Sequence, residues 1–204
     1  MGKIITVVGN LGAGKTTLCK LICEQGTFIP YWERPDERPF HMAYGKDQAR
    51  WAFANQMDFF LFRCKQETIA RQSNETALFD GGFDQDFHVF TRYIHQKKYL
   101  TPAEFDVCQR FYDLARGFLA PPDLIIRIQV DIATILQRRA ARGRKTDDHL
   151  FNNQELIHFE LLLDEWLKDE HSCPVLQVNF DRDFQSYSDE IIKLTVQIHQ
   201  ILSG

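Results

Sequence analysis

Lys3-Ile4-Ile5-Thr6-Val7-Val8-Gly9-Asn10-Leu11-Gly12-Ala13-Gly14-Lys15-Thr16-Thr17-Leu18 is the stretch that decides the fold. Residues 3–8 form a short run rich in β-branched side chains and read as a buried strand, and helical spacing runs from Lys15 to residue 25. Between them, Gly9 to Thr16 match G-x-x-x-x-G-K-[ST] in full. The glycines allow backbone N–H groups to point at phosphate oxygens, Lys15 reaches the outer phosphates, and the Thr16 hydroxyl is a ligand for Mg²⁺. The dipole of the helix that follows adds positive potential at the same place. Strand, glycine loop and helix in this order imply a bound nucleoside triphosphate.

Working outward, apolar runs recur at residues 76–79, 124–130 and 175–180, with a weaker one at 27–32. Helical patterns follow at 47–72, 85–96, 102–118, 132–142, 153–168 and 188–201. Five strands alternating with helices predict an α/β fold, a five-stranded parallel sheet with helices on both faces. The prolines in Ala120-Pro121-Pro122-Asp123 end one helix just before the next strand. A chain of 204 residues, 44% hydrophobic, fits a single domain over 1–204.

The formal net charge of −4 offers no broad basic footprint, so a nucleic-acid partner is not expected. Cys19, Cys23, Cys64, Cys108 and Cys173 are odd in number, and the Cys19/Cys23 pair lacks the second Cys or His pair of a zinc site. They read as reduced core thiols. No stretch approaches the ~18 apolar residues of a membrane span, and the N-terminal apolar run has no small-residue cleavage site. A cytoplasmic protein without a membrane partner is expected.

The acceptor side lies elsewhere. Glu33 and Asp80 each follow a strand and project at the carboxyl edge of the sheet, where open α/β sheets bind ligands. One can deprotonate a hydroxyl while the other sits near Mg²⁺, and phosphoryl transfer needs little more than positioning and charge. In residues 49–63, Ala52, Phe53, Gln56, Phe59, Phe60 and Arg63 recur at three- and four-residue intervals, which puts Gln56 and Arg63 on an apolar face. A buried amide and guanidinium need partners, and a planar base beside aromatic rings supplies them. Asp86 and Phe90 form a second four-residue pair near the same cleft, the alternative being an Arg63–Asp86 ion pair in the core. Arg138, Arg142 and Arg144, with Gly143 as hinge, read as a lid that neutralises transferring phosphoryl oxygens, or else as a solvated basic helix face.

Together these motifs, in this order, resemble the deoxynucleoside kinase family over nearly the whole chain. Gly9 to Leu18 resembles the family's G-N-x-G-A-G-K-[ST]-T-L, which implies a P-loop kinase fold with an Arg-rich lid. ATP then lies on Gly9, Asn10, Leu11, Gly12, Ala13, Gly14, Lys15, Thr16 and Thr17, with Thr16 and Asp80 at Mg²⁺. Glu33 lies in a segment similar to E-P-x-x-x-N-P, with Arg34 and Arg38 in place of the usual Pro and Asn, and the resemblance makes it the general base for the 5′-hydroxyl. Residues 51–63 are similar to aromatic-x-F-x-x-Q-x-x-F-L-x-x-R, in which the Gln reads the base. The same resemblance brings Tyr44 to the sugar 3′-hydroxyl and Arg63 and Asp86 to an amino-bearing base. Residues 136–144 resemble the lid R-x-x-x-R-G-R, and Asp147 or Asp148 matches the acid after it, which helps hold the 3′-hydroxyl. Asp181, Asp183 and Phe184 fall in a loop like the one that cradles adenine. The family's members are mostly homodimers, which makes a homodimer the expectation here.

One position departs from the pattern. Where the family reads D-R-S or E-R-S, this chain has Asp80-Gly81-Gly82, and the arginine that braces the catalytic Glu is absent. Arg34 or Arg92 is expected to swing into the space left, or transfer is lost. The expected reaction is ATP-dependent phosphorylation of deoxyadenosine, deoxycytidine or deoxyguanosine. The alternatives are a nucleotide-binding regulator or sensor of kinase fold, in which Gly81→Arg restores turnover, and a nucleoside monophosphate kinase.

Overall fold

The computed structural model describes residues 1–142, 152–168, 173–181 and 188–203. Strands β1 (Lys3–Gly9), β2 (Phe28–Tyr31), β3 (Thr76–Asp80), β4 (Leu124–Gln129) and β5 (Val175–Asn179) pair in the order β2-β3-β1-β4-β5. Every pairing is parallel. β1 is central, so the glycine loop at its end opens in the middle of the sheet's carboxyl edge, the ligand edge of open α/β folds. The register sets Asp80 opposite Val7, Gly9 opposite Ile128 and Tyr31 opposite Phe79. The residues just after β1, β2 and β3 therefore come out side by side.

The helices are α1 (Lys15–Gln25), α2 (His41–Lys46), α3 (Gln48–Gln72), α4 (Phe83–Gln85), α5 (Arg92–Gln96), α6 (Pro102–Phe118), α7 (Ile132–Arg142), α8 (Asn153–Lys168) and α9 (Ser188–Ser203). Alternate strand residues face opposite layers, as the two-residue period of a strand requires. Ile5, Val7, Leu78, Leu124 and Ile126 cluster with Leu18 and Ile22 of α1 and Ile191, Leu194 and Ile198 of α9. On the other face, Val8 and Ile125 pack with Ala52 and Phe60 of α3 and Phe159 and Leu163 of α8, and Ile4, Ala77 and Phe79 pack with Ala70. Burial on both faces explains why the strands read as apolar runs instead of alternating.

α3 buries Ala52, Asn55, Gln56, Phe59, Phe60, Arg63, Gln66, Glu67 and Ala70, so the polar seam read from its spacing does turn inward. The stretch expected as helix over 85–96 starts at Phe83, and its middle, Asp86–Thr91, is π-helical. A π turn commonly marks a functional site. Two elements were not expected, a 3₁₀ turn at Pro35–Glu37 and the six-residue α2. Neither is long enough to show a helical period. Among the described residues, no helix is long and apolar enough to cross a membrane.

Candidate active site

The glycine loop is held from both sides. Asn10 donates from Nδ2 to the Leu156 carbonyl at 2.8 Å and to Glu160 at 2.9 Å, while its Oδ1 accepts from the Leu11 N–H at 2.8 Å. Gln85, buried and not singled out by sequence, forms a reciprocal pair with Gly9: its Nε2 donates to the carbonyl at 2.9 Å and its Oε1 accepts from the N–H at 3.3 Å. Gly12 has a φ of 82°, and a Cβ there would lie 3.2 Å from side-chain carbons of Ile135 and Arg139, so the loop needs glycine for conformation and for the close approach of α7. Gly14 caps α1 with no side-chain acceptor, and α1 has no acid in its first turn. Its first N–H groups thus have no side-chain competitor for an anion.

Lys15 Nζ lies 3.1 Å from the carbonyls of Gly9 and Asn10, which folds the ammonium back over the loop. Thr16 donates its hydroxyl to Asp80 Oδ2 at 2.6 Å. Asp80 is 4% exposed, yet its Oδ1 is buried with no hydrogen-bond partner. A hydroxyl and a carboxylate oxygen awaiting a partner form a hard oxygen donor set that fits Mg²⁺.

Glu33 lies two residues beyond β2 and is half-buried. Burial pushes its carboxyl up to about 7, and Asp86 and Asp80 push in the same direction, against the opposing charges of Arg63 and Lys15. Those four side chains come from α3, the π turn, the end of β3 and the glycine loop, and their charges converge on Glu33.

Arg63 has no exposed surface and donates from every side-chain nitrogen. Nε bonds Asp86 Oδ2 at 2.9 Å, Nη1 bonds Gln66 Oε1 at 3.3 Å, and Nη2 bonds the Asp80 carbonyl at 3.1 Å. Gln66 in turn donates to the Trp32 carbonyl at 2.9 Å. The core ion pair weighed from the sequence is therefore present. Burial still raises the Asp86 carboxyl above its usual range despite the guanidinium. Gln56 is 4% exposed, and Thr91 supplies one hydroxyl to two acceptors at 2.9 Å, Gln56 Oε1 and the Asp86 carbonyl. Gln56 and Asp86 are thus locked together across the π turn. Tyr44 is buried beside Tyr99 and Glu155, which with desolvation raise its hydroxyl pKa. Phe90 packs on Phe159 with ring centroids 5.2 Å apart.

The expectation that Arg34 or Arg92 fills the space beside Gly81 is corrected. Arg34 pairs with Glu37 at 3.3 Å on the surface, and Arg92 pairs with Glu165 at 3.1 Å. Arg63 is there instead: a Cβ on Gly81 would lie 2.9 Å from its Nη2. On the lid side, Arg138 donates to the Ala13 carbonyl at 3.0 Å and to the Phe180 carbonyl. Asp181 accepts from the Asp131 N–H at 2.7 Å. The side chain of Arg142, and Gly143, Arg144, Asp147, Asp148, Asp183 and Phe184, lie outside the described residues.

A cleft of about 540 Å³ opens on the outer side of β2, lined by Tyr31, Trp32, Arg38, Phe62 and Gln66 among others. It holds neither Glu33, Gln56 nor Lys15, so the convergence of side chains, and not this cleft, locates the site.

A family model described as deoxynucleoside kinase matches residues 5–203. The deoxyadenosine/deoxycytidine kinase of Bacillus subtilis (strain 168) is 25% identical over 190 residues, covering 92% of this chain and 86% of that protein. The deoxyguanosine kinase of the same organism is 23% identical over 202 residues, covering 97% of each. Among solved structures, the deoxyadenosine kinase from M. mycoides with bound dCTP superposes with a TM-score of 0.80 at 21% identity, covering 97% of this chain and 98% of that one. That likeness establishes the shared fold.

Proposed function

The chain belongs to the deoxynucleoside kinase family, and from that premise we propose how its residues move the γ-phosphoryl group of ATP to the 5′-hydroxyl of a deoxynucleoside. The observation that carries the reading is the meeting of Glu33, raised to about 7, with the Lys15–Thr16–Asp80 cluster at the ends of adjacent strands. The regulator and monophosphate-kinase alternatives find no support among the named relatives.

Residues 9–17 hold the triphosphate through backbone N–H groups and Lys15. Thr16 and Asp80 hold Mg²⁺, which when bound screens the phosphate charge. Glu33 accepts the proton of the 5′-hydroxyl as the O5′–Pγ bond forms and the bond from Pγ to the β,γ-bridging oxygen breaks, its electron pair leaving with ADP. A base poised near pH 7 is well matched to this task. Gln56 and Asp86 meet the edge of the base, Phe90 lines the pocket, and Tyr44 with Asp148 holds the 3′-hydroxyl. Arg63 is read as holding Asp86 from behind, because its nitrogens are already engaged. Arg138, Arg142 and Arg144 close over the phosphates, and Asp181, Asp183 and Phe184 flank the adenine. An amide and a carboxylate suit an amino-bearing base, which supports deoxyadenosine, deoxycytidine or deoxyguanosine as substrate.

The proposed setting is nucleotide salvage in the cytoplasm. Five cysteines without a disulfide fit a reducing compartment. A homodimer is proposed, supported by large apolar side chains left exposed on α3 and α6.

The test is ATP-dependent formation of the monophosphate from each of the three deoxynucleosides, with Lys15→Ala as control. Turnover of none above that control would refute the reading.

A further inference from the structure

We propose that Arg63 is a positioning residue for Glu33, holding through Gln66 the strand end that carries Glu33 and lying in the space that glycine at position 81 leaves beside Asp80. This rests on the reading of Glu33 as the base.

The sequence of contacts is continuous. Gln66 spans from the Trp32 carbonyl, one residue before Glu33, to Arg63 Nη1, with bonds of 2.9 and 3.3 Å. The other Arg63 nitrogens fix the Asp80 carbonyl at the end of β3 and the Asp86 carboxylate in the π turn. One planar guanidinium therefore ties together the ends of β2 and β3 and the helix that follows β3. A planar fork with rigid donor directions is suited to this, and a flexible ammonium is not.

Gly81 makes the arrangement possible. Its φ of 73° is a left-handed conformation that other side chains resist, and a Cβ would sit 2.9 Å from Nη2. Its N–H donates to the Val7 carbonyl at 3.0 Å, so the turn cannot move outward without losing a bond to the central strand. A larger residue would have to displace the guanidinium. Among the charges that act on Glu33, Arg63 is the foremost, followed by Asp86, Lys15 and Asp80. Arg63 is thus the cation set against three carboxylates from three elements.

A residue that reads the base and a residue that positions the proton acceptor affect different kinetic constants. Contacts made equally in ground and transition states appear in KM, whereas loss of a positioned base appears in kcat. Gln66→Leu cuts the link to Trp32 without removing a charge, and Arg63→Lys keeps the charge but loses the fork. Both are compared with wild type, with Glu33→Gln and with the Gln66→Leu/Glu33→Gln double variant. The expected result is a fall in kcat of roughly tenfold for each of the first two, with the nucleoside KM of Gln66→Leu, which leaves the Arg63–Asp86 bond in place, within about threefold of wild type. In the Glu33→Gln background, Gln66→Leu should add less than about twofold, because the group it positions is gone. An equal, additive loss in that background, or a rise in KM with kcat unchanged, would overturn the proposal. Wild-type turnover in Glu33→Gln has a different meaning: it removes the base assignment itself. If Arg63→Lys does not fold, the Gln66 cycle decides alone.

Discussion

Glu33 sits between opposing influences. Burial and the nearby carboxylates raise its pKa to about 7, while Arg63 and Lys15 limit the rise. As the proposed base it must be ionised to accept a proton, so kcat/KM should climb with pH to a plateau above an apparent pKa near 7, measured with nucleoside as the varied substrate. Glu33→Gln should lower turnover by roughly 10²- to 10⁴-fold at the plateau. The same group makes a stability prediction of fixed sign. Its folded pKa lies above its ordinary 4.5, so its contribution to stability is fully present below that value and lost as pH rises through about 7. Glu33→Gln should therefore melt a few degrees above wild type at pH 8 and with it at pH 4. At Gly81 the structure reverses an expectation. Gly81→Arg, which the regulator alternative made a repair, should lower both turnover and stability, because a non-glycine residue at positive φ costs roughly 1–3 kcal/mol and the new side chain meets Arg63. Turnover above wild type in that variant would mean that the buried guanidinium yields to the new one.

The glycine loop depends on anchors far away in the chain. Gln85 lies 76 residues from Gly9 yet meets both its N–H and its carbonyl. Gln85→Leu takes that side-chain partner from both groups, leaving Lys15 as the side chain still bonded to the carbonyl, and should cost about 1–3 kcal/mol, seen as a lower melting temperature, together with a raised KM for ATP. Such anchors mark what the sequence could not disclose. The loop, the strand periods and the polar seam of α3 are local patterns, and each of the five strands falls within a residue or two of the run that predicted it. Gln66 and Gln85 have no local signature, because their partners lie 34 and 76 residues off. The space beside Gly81 was misread for the same reason: spacing placed Arg63 on an inward face, but not which neighbour it would reach. Some local signals were legible only as helix starts. Asn152 and Glu155 satisfy each other's backbone N–H groups at 2.7 and 3.1 Å, and this capping pair sets Glu155 beside Tyr44.

At the scale of the molecule, α3 and α6 face inward through charge as well as apolar packing. Arg116 makes paired bonds to Glu67, at 2.7 and 3.0 Å, and to Asp84, at 2.7 and 2.9 Å, and Tyr112 adds a bond to Asp84 at 2.7 Å. Asp84 lies in the first turn of the helix that starts at Phe83, so this network fixes that turn to the helix pair. Removing Arg116 would leave two buried carboxylates without their cation, and its bonds to both tie the two helices to the turn after β3. On their outer surfaces the same helices expose Leu61 and Ile69 of α3 and Leu114 and Phe118 of α6, the last at 82%. Exposed side chains of this size are the ones a protein contact would cover. In the homodimer proposed above, a second copy would bury them by two-fold symmetry. Sedimentation equilibrium should therefore give twice the 23.9 kDa chain mass. Leu114→Asp combined with Phe118→Asp should give the single-chain mass, because charges placed in an apolar interface lose their water without gaining partners. A wild-type protein that sediments as one chain at micromolar concentration would show that these side chains serve no self-association.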